Sequence, residues 1–501
     1  MPNATTAFLD DPIAAGLADR VAIVTPSGRV TYAGLLELVN RTGHALRAMG
    51  VEPEQRVAML LADGVDWAAT FFGALRIGAV AVPLNTRLGA DEWAEMLRDS
   101  RAKVLVAEAA LCTHLVPHFD SLPHLKVAVA SSSLDAVRCD SVSDLDPESV
   151  SDDDMAFWLY TSGTTGGSKA AVHAHRDLLA CHHYGIGVLG ATSHDRVYAT
   201  SKLFFAYALG NALAIPLFVG ARTYLDPGWP DPAHVADVMA AFEPMLFFSV
   251  PTFFARLASA DLDASTFRSL RCAVSAGERL PEEVYWRWRE RFGVEIVEGL
   301  GATETIFMAL SNVPGSSRAG SIGTLVPGAE ARLVDADGRD VAEGEPGVLH
   351  VKMPSTCARY WNRQDQSRRA FAGEWFRTGD VCARDAGGFY RHVGREDDLF
   401  KVAGQWVSPS DVESALASHP GVAEVGVVGA EDGHGLVKTF AFVVPRDVSA
   451  ERDELVHDLE RWAATRLAPH QRPRAVSLVE SLPRTATGKL QRYLLRRPDA
   501  R

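Results

Sequence analysis

The sequence predicts an α/β protein: a large N-terminal domain made of two β/α subdomains and a β-rich subdomain, then a small α+β C-terminal domain. Three observations carry this. Short apolar runs alternate with helical patterns from about Val57 to Val129 and again from Met245 to Gly301. Turn-rich short strands take over after about Gly328, and a mixed helix and strand pattern fills the rest from Asp397. Alternation of this kind implies a sheet wrapped by helices, and each change of rhythm marks a change of layer. The expected division is 1–396 for binding nucleotide and acid, and 397–501 for the small domain.

In chain order, VAMLLA, VAVPLN and VLVAE read as strands, with VDWAATFFGALRIGA and DEWAEMLRDSR as the helices between them. MLFFSVP, RCAVSAGE and VEIVEGLG continue the strand series, and each ends in a glycine-bearing loop or a sharp turn of the kind that holds ligands in open α/β sheets. PEEVYWRWRERF reads as a helix, with Pro281 at its first position and acids in its first turn. In the small domain DVESALASHPG is a helix stopped by Pro420 and Gly421. VAEVGVVG and LVKTFAFVV follow as strands, then a long helix from Glu451 to Leu467 and a last strand VSLVE.

Composition narrows the function. Fifty basic against 63 acidic residues leave a net charge of −13, which argues against a general nucleic-acid binder. Six cysteines without a C-x-x-C pair, and a start lacking a basic-then-apolar leader, point to a reduced, cytoplasmic protein. Leu203 to Ala221 is uncharged over nineteen residues, but Gly210, Asn211, Pro216 and Gly220 interrupt it. A buried helix or helix pair is expected there, with no membrane partner.

YTSGTTGGSKA, Tyr160 to Ala170, is the most informative stretch. Glycines let backbone N–H groups turn toward a ligand, hydroxyls add donors and Lys169 adds charge, a combination suited to a polyphosphate. It is not a Walker A loop, because Ser168 stands where the second glycine belongs. From composition alone, a ligand-free polar surface loop stays equally open. GIGVLG (Gly185 to Gly190) matches a dinucleotide fingerprint but follows a helix-like segment, which removes the required context. GLGATE (Gly299 to Glu304) follows a strand, yet Glu304 replaces the last glycine and would suit a Mg²⁺ ion rather than a bare pyrophosphate. His173, His175, His182 and His183 lie close in sequence without a neighbouring cysteine; they are expected to decorate the helix after the loop rather than bind metal.

With WFRTGD, GREDDLFKVAGQWVSP and PRTATGKLQR, these motifs stand in the order of the core motifs of the adenylate-forming superfamily, which the chain resembles from Tyr160 to Arg492. Through KLFFAYALG, SAGE, GQWVSPSDVE, GLVKT and TATGKLQR it is most similar to benzoate-CoA ligases. The resemblance implies that ATP and a carboxylic acid form an acyl-adenylate, and that coenzyme A then takes the acyl group. It places Thr161, Ser162, Gly163, Thr164, Thr165 and Lys169 at the β- and γ-phosphates, Thr303 at the α-phosphate and Glu304 at Mg²⁺. Ala276, Gly277 and Glu278, with Glu298, Gly299 and Leu300, would line the adenine site; Asp380 and Arg395 would hold the ribose. Lys489 would be the adenylation lysine on a small domain that turns about Asp397. Lys401 and Gly404 would then border the coenzyme A tunnel. Ser168 and Ala170 depart from the usual proline and glycine of the phosphate loop, which alters its stiffness but not its donors; Leu300 stands where many relatives of the superfamily have a tyrosine against the adenine and where benzoate-CoA ligases also tend to have an aliphatic residue.

By the same resemblance Ala206, Tyr207, Gly301, Thr305, Phe307 and Met308 form the acid pocket. No Asp or Glu lies between Ser201 and Ala221, so an α-ammonium would lack a partner and an aromatic acid is expected. Benzoate-CoA ligases carry histidine where this chain has Phe307, which suggests a substituted or bicyclic ring rather than benzoate. Two alternatives remain at this level: transfer to the pantetheine arm of a separate carrier protein, and a non-catalytic nucleotide-binding protein. A homodimer is left open.

Overall fold

A computed structural model describes residues 3–139, 143–162, 168–447, 452–483 and 490–496, with backbone only at 139 and 162. The fold is of the expected mixed α/β class. Contacts divide the chain into two compact units, Met1–Arg332 with His350–Thr378 and Gly388–Tyr390, and Leu333–Leu349 with Gly379–Gly387 and Arg391–Arg501.

Among the described residues the larger unit contains a seven-stranded and a nine-stranded sheet. The first has the order Arg359–Tyr360, Ser168–Ala174, Met155–Ser162, Val80–Pro83, Arg56–Leu60, Val104–Ala107, Val127–Ala130. Its apolar strands VAVP and VLVA are buried on both faces, as parallel strands between helix layers must be. The helix Val65–Arg76 is buried from Trp67 to Arg76, so it reads as apolar nearly all round. Arg76, the exception, donates both η nitrogens to the Asp10 carboxylate at 2.8 and 3.0 Å.

The second sheet runs parallel through Ile296–Gly301, Cys272–Ser275, Leu246–Ser249, Arg196–Ala199, Arg222–Tyr224 and Val21–Thr25, and antiparallel at both edges. Tyr198, Phe247, Ala273 and Ile296 pack beneath Phe254, Phe267 and Trp288. The helix foreseen from Pro281 begins one residue later, at Glu282; Pro281 is its N-cap with ψ 135°, extended rather than helical. Its ring fixes φ near −63° in either state, so only ψ separates a cap from a first turn. Leu203 to Ala221 is a broken, mostly buried helical run through Ala206–Ala208, Leu209–Ala214 and Ile215–Phe218. No described helix is long and apolar enough to cross a membrane.

In the smaller unit Val422–Glu431, Val437–Pro445 and Ala475–Leu478 form a sheet against the helices Pro409–Ala417 and Arg452–Arg466. Val412, Leu416, Val427, Ala441, Val443 and Leu459 are its core. Ser408 caps the first of these helices by accepting the Asp411 N–H.

Candidate active site

The strands on either side of the Ser/Thr/Gly-rich loop pair with each other. Met155–Ser162 pairs antiparallel with Ser168–Ala174, Thr161 opposite Lys169 and Ser162 opposite Ser168. Gly163, Thr164 and Thr165 lie outside the described residues. The apolar lead-in MAFWLY is what buries the first strand and fixes where the loop begins; Ala156 to Leu159 are fully buried.

On the return strand Lys169 lies over a carboxylate and an aromatic ring. Its Nζ is 3.7 Å from Glu304 Oε1 and 3.9 Å from the centre of the Tyr360 ring. Tyr360 donates its hydroxyl to Glu304 Oε1 at 2.6 Å, and both residues are buried. Sequence reasoning named Lys169 and Glu304 but not Tyr360. Its only local signal is an aromatic in a short edge strand, Arg359–Tyr360, paired to Val172 and Ala171. A buried phenol needs a partner, and the partner is 56 residues away.

Glu304 stands in the turn between Ile296–Gly301 and Met308–Ser311. The turn is tightly held: Thr305 Oγ1 accepts the Ala302 N–H at 3.1 Å, Ser355 Oγ donates to the Thr305 carbonyl at 2.6 Å, and the Phe307 N–H closes on that carbonyl at 2.5 Å. Ile306 at its centre has φ +57°, a left-handed conformation that is costly for a β-branched residue. The strain turns Phe307 toward the helix after KLFF. A Cβ on Gly210 would lie 2.9 Å from Phe307 Cε1 and would push the ring aside, and one on Gly301 would lie 2.7 Å from the Phe307 carbonyl oxygen, where the backbone leaves no room for it. The two segments expected to wall the acid pocket therefore touch. Tyr207 donates its hydroxyl to the carbonyls of Val274 at 2.9 Å and Ser249 at 3.2 Å, and burial pushes the phenol well above its usual range.

His173, expected on the surface of a helix, is instead fully buried at the end of the return strand. It stacks on Phe157 at 4.9 Å, faces the Asp177 carboxylate through Nδ1 at 3.0 Å and donates its Nε2–H to the Thr303 carbonyl at 2.9 Å. Strand parity, with Phe157 opposite it, is the signal that could have found it. His175 is buried one residue beyond that strand, where burial pushes it down to about 4, and His182 and His183 lie on the helix Cys181–Gly185. Among the described residues no three His, Cys, Asp or Glu side chains are disposed to share a metal ion.

Ala276, Gly277 and Glu278 follow Cys272–Ser275, and Glu298 pairs with Ser275 from the neighbouring strand, so the two stretches assigned to adenine are adjacent. The Glu298 carboxylate turns inward to accept the Leu280 N–H at 2.8 Å, and burial pushes its carboxyl up to about 7. The Glu278 carboxylate accepts the Thr252 hydroxyl at 2.6 Å.

In the smaller unit Asp380 is a buried carboxylate held on both oxygens, by His392 Nε2 and Arg395 Nη1 at 3.1 Å each. Burial alone would raise its carboxyl; the His392 hydrogen bond and the Arg395 charge outweigh it and hold the group below the usual range. His392 was missed by sequence, although it alternates with Tyr390 on the strand Tyr390–Arg395. Lys401 and Gly404 belong to the hairpin Phe400–Val402 and Gln405–Val407, whose turn has Ala403 at φ +50° and Gly404 at φ +81°. Lys401 Nζ stands 4.6 Å from the ring of the exposed Trp406. Lys489 lies outside the described residues. Shortly after it, Arg492 donates to both Glu413 oxygens at 2.9 and 2.7 Å and to Asp398 at 3.3 Å, while Arg496 donates to the Asp397 carbonyl at 3.2 Å.

Residues 12–361 match the AMP-binding enzyme family, and residues 411–489 match the AMP-binding enzyme C-terminal domain. The chain is 39% identical to a 3-hydroxybenzoate–CoA ligase of Aromatoleum sp. (strain CIB), covering 99% of this chain and 96% of that one. It is 40% identical to a 4-hydroxybenzoate–CoA/benzoate–CoA ligase of Rhodopseudomonas palustris (strain ATCC BAA-98 / CGA009), over 99% and 94%. Among solved structures it superposes on the anthranilate CoA ligase AuaEII in complex with anthranoyl-AMP with a TM-score of 0.92, at 35% identity, covering 99% and 96% of the two chains.

Proposed function

The chain belongs to the AMP-binding enzyme family, and from that premise we propose that it is an aryl-CoA ligase which activates an aromatic carboxylic acid with ATP and passes it to coenzyme A. In the first step a carboxylate oxygen attacks the α-phosphorus of ATP, the α–β P–O bond breaks and pyrophosphate leaves. In the second the coenzyme A sulfur, its proton lost, attacks the acyl carbon and AMP departs. The observation that carries the reading is the contact of Phe307 with Gly210, three residues from a carboxylate, Glu304, that faces the lysine of the phosphate hairpin.

In this reading the hairpin from Thr161 to Lys169 holds the β- and γ-phosphates, and Thr303 the α-phosphate. Glu304, a buried carboxylate whose hard oxygens suit a hard cation, would hold Mg²⁺, which would supply positive charge to offset that of the phosphates. Tyr360 and Lys169 fix the carboxylate, and His173 fixes the Thr303 carbonyl. Asp380 accepts from the ribose hydroxyls, a role suited to a carboxylate kept ionised by Arg395 and His392. Lys489 balances negative charge developing around the α-phosphate. Rotation about Asp397 then exchanges Lys489 for the Lys401–Gly404 hairpin, so one site serves both steps. The domain boundary of 1–396 and 397–501 follows from that hinge.

The acid is a substituted or bicyclic aromatic. Phe307 presents an apolar wall where a histidine would offer a hydrogen bond, and an apolar substituent or second ring loses nothing against it. Pyrophosphate release over a panel of aromatic acids tests both levels. Release with aromatic but not aliphatic or amino acids is the expected result; a panel led by unsubstituted benzoate would overturn the finer claim. Phe307→His should shift the ratio of kcat/KM toward benzoate by about 10-fold, the value of one or two kcal/mol of pocket complementarity. Thioester formation on adding coenzyme A separates this reading from carrier-protein loading, in which only trapped adenylate would be seen.

A further inference from the structure

We infer that Asp63, with Lys202, is a positioning residue for the aryl acid, tying the chain that enters the acid pocket to both sheets of the larger unit. The inference rests on the ligase reading. Asp63 follows Arg56–Leu60 of the seven-stranded sheet, yet its carboxylate reaches across to the other sheet, where both oxygens accept the Leu203 N–H, at 3.1 and 3.3 Å. The neighbouring residue, Lys202, is buried, and its Nζ donates to the Asp226 carbonyl at 2.7 Å and to the Gly228 carbonyl. Leu203 and Phe204, both buried, and then Phe205 lead straight into the helix Ala206–Ala208, which carries Ala206 and Tyr207. The backbone at 202–203 is thus clamped from two directions immediately before the pocket wall begins.

Nothing in packing alone calls for this arrangement. A buried carboxylate and a buried ammonium are costly to desolvate, and an apolar pair would fill the space at no such cost. What the charges supply is direction: Asp63 sets the height of Leu203, and Lys202 fixes the same segment to the loop after Arg222–Tyr224. A displacement of about 1 Å in such a segment is enough to misplace a reacting carboxylate.

The groups facing Asp63 are Lys202 and Asp226, the latter in turn bound by His234 Nε2 at 2.7 Å and Tyr198 hydroxyl at 3.4 Å; Arg87 faces Lys202. Burial raises the Asp63 carboxyl to about 7, partly offset by Lys202 and the Leu203 N–H, so it ionises within the working range. Above that point it is a charged acceptor for Leu203; below it the bond loses its charge assistance.

The test uses the full chain with 3-hydroxybenzoate as probe and pyrophosphate release as readout. The probe's own carboxyl ionises near pH ~4 and does not change between pH 6 and 8. We expect the wild-type KM for 3-hydroxybenzoate to rise about 5-fold from pH 8 to pH 6 without a matching rise in the KM for ATP. Asp63→Asn, which keeps an acceptor but cannot ionise, flattens that dependence, and His234→Gln leaves it in place. Asp63→Ala raises the KM for 3-hydroxybenzoate about 10-fold at pH 8. An Asp63→Asn enzyme with the wild-type pH dependence, a His234→Gln enzyme without one, or an Asp63→Ala enzyme whose two KM values rise together would each overturn the assignment. An absence of pyrophosphate release with every aromatic acid would instead overturn the ligase reading beneath it.

Discussion

Replacing Lys489 by alanine slows aryl-adenylate formation roughly 10²–10³-fold, the scale of losing one charge partner in a transition state, while thioester formation from supplied aryl-adenylate and coenzyme A falls much less. In the proposed mechanism the split follows from the rotation, because there the lysine serves only the orientation in which the carboxylate meets the α-phosphate. Single-turnover measurement of the two half-reactions checks it. Equal losses in both would contradict a lysine delivered and withdrawn by the small domain. Arg492, three residues beyond Lys489, is held by Glu413 and Asp398.

Glu304→Gln is expected to lower adenylation about 10²-fold with little loss of thermal stability. Glutamine keeps the Oε1 acceptor that Tyr360 uses at 2.6 Å, and it keeps the shape that fills the turn. It removes only the negative charge facing Lys169. An enzyme with unchanged pyrophosphate release would remove Glu304 from the chemistry. One that melted far below the parent would show that the charge serves folding instead.

Much of this site could be read before the fold was known, because its motifs are local. Apolar runs of four or five residues announce the strands, and the loops that end them carry the phosphate and acid motifs. Tyr360, His392 and Asp63 belong to no motif, and His173 reads as a helix-surface residue; all four act through partners remote in sequence or hidden by strand parity. Tyr360 meets Glu304 across 56 residues, His173 meets Thr303 across 130, and Asp63 meets Leu203 across 140. His173 shows the difference most clearly: beside a helix start it reads as exposed, yet the hairpin register places it fully buried against Phe157.

Periodicity and residues at short, fixed spacing are enough to read the α/β class, the strand and helix order from Val57 to Val129 and from Met245 to Gly301, and the family to which the chain belongs. Which side chains hold the proposed catalytic residues in place depends on the folded chain. Sheet pairing brings together residues a hundred or more positions apart, and burial then forces each polar group to find its partner among them.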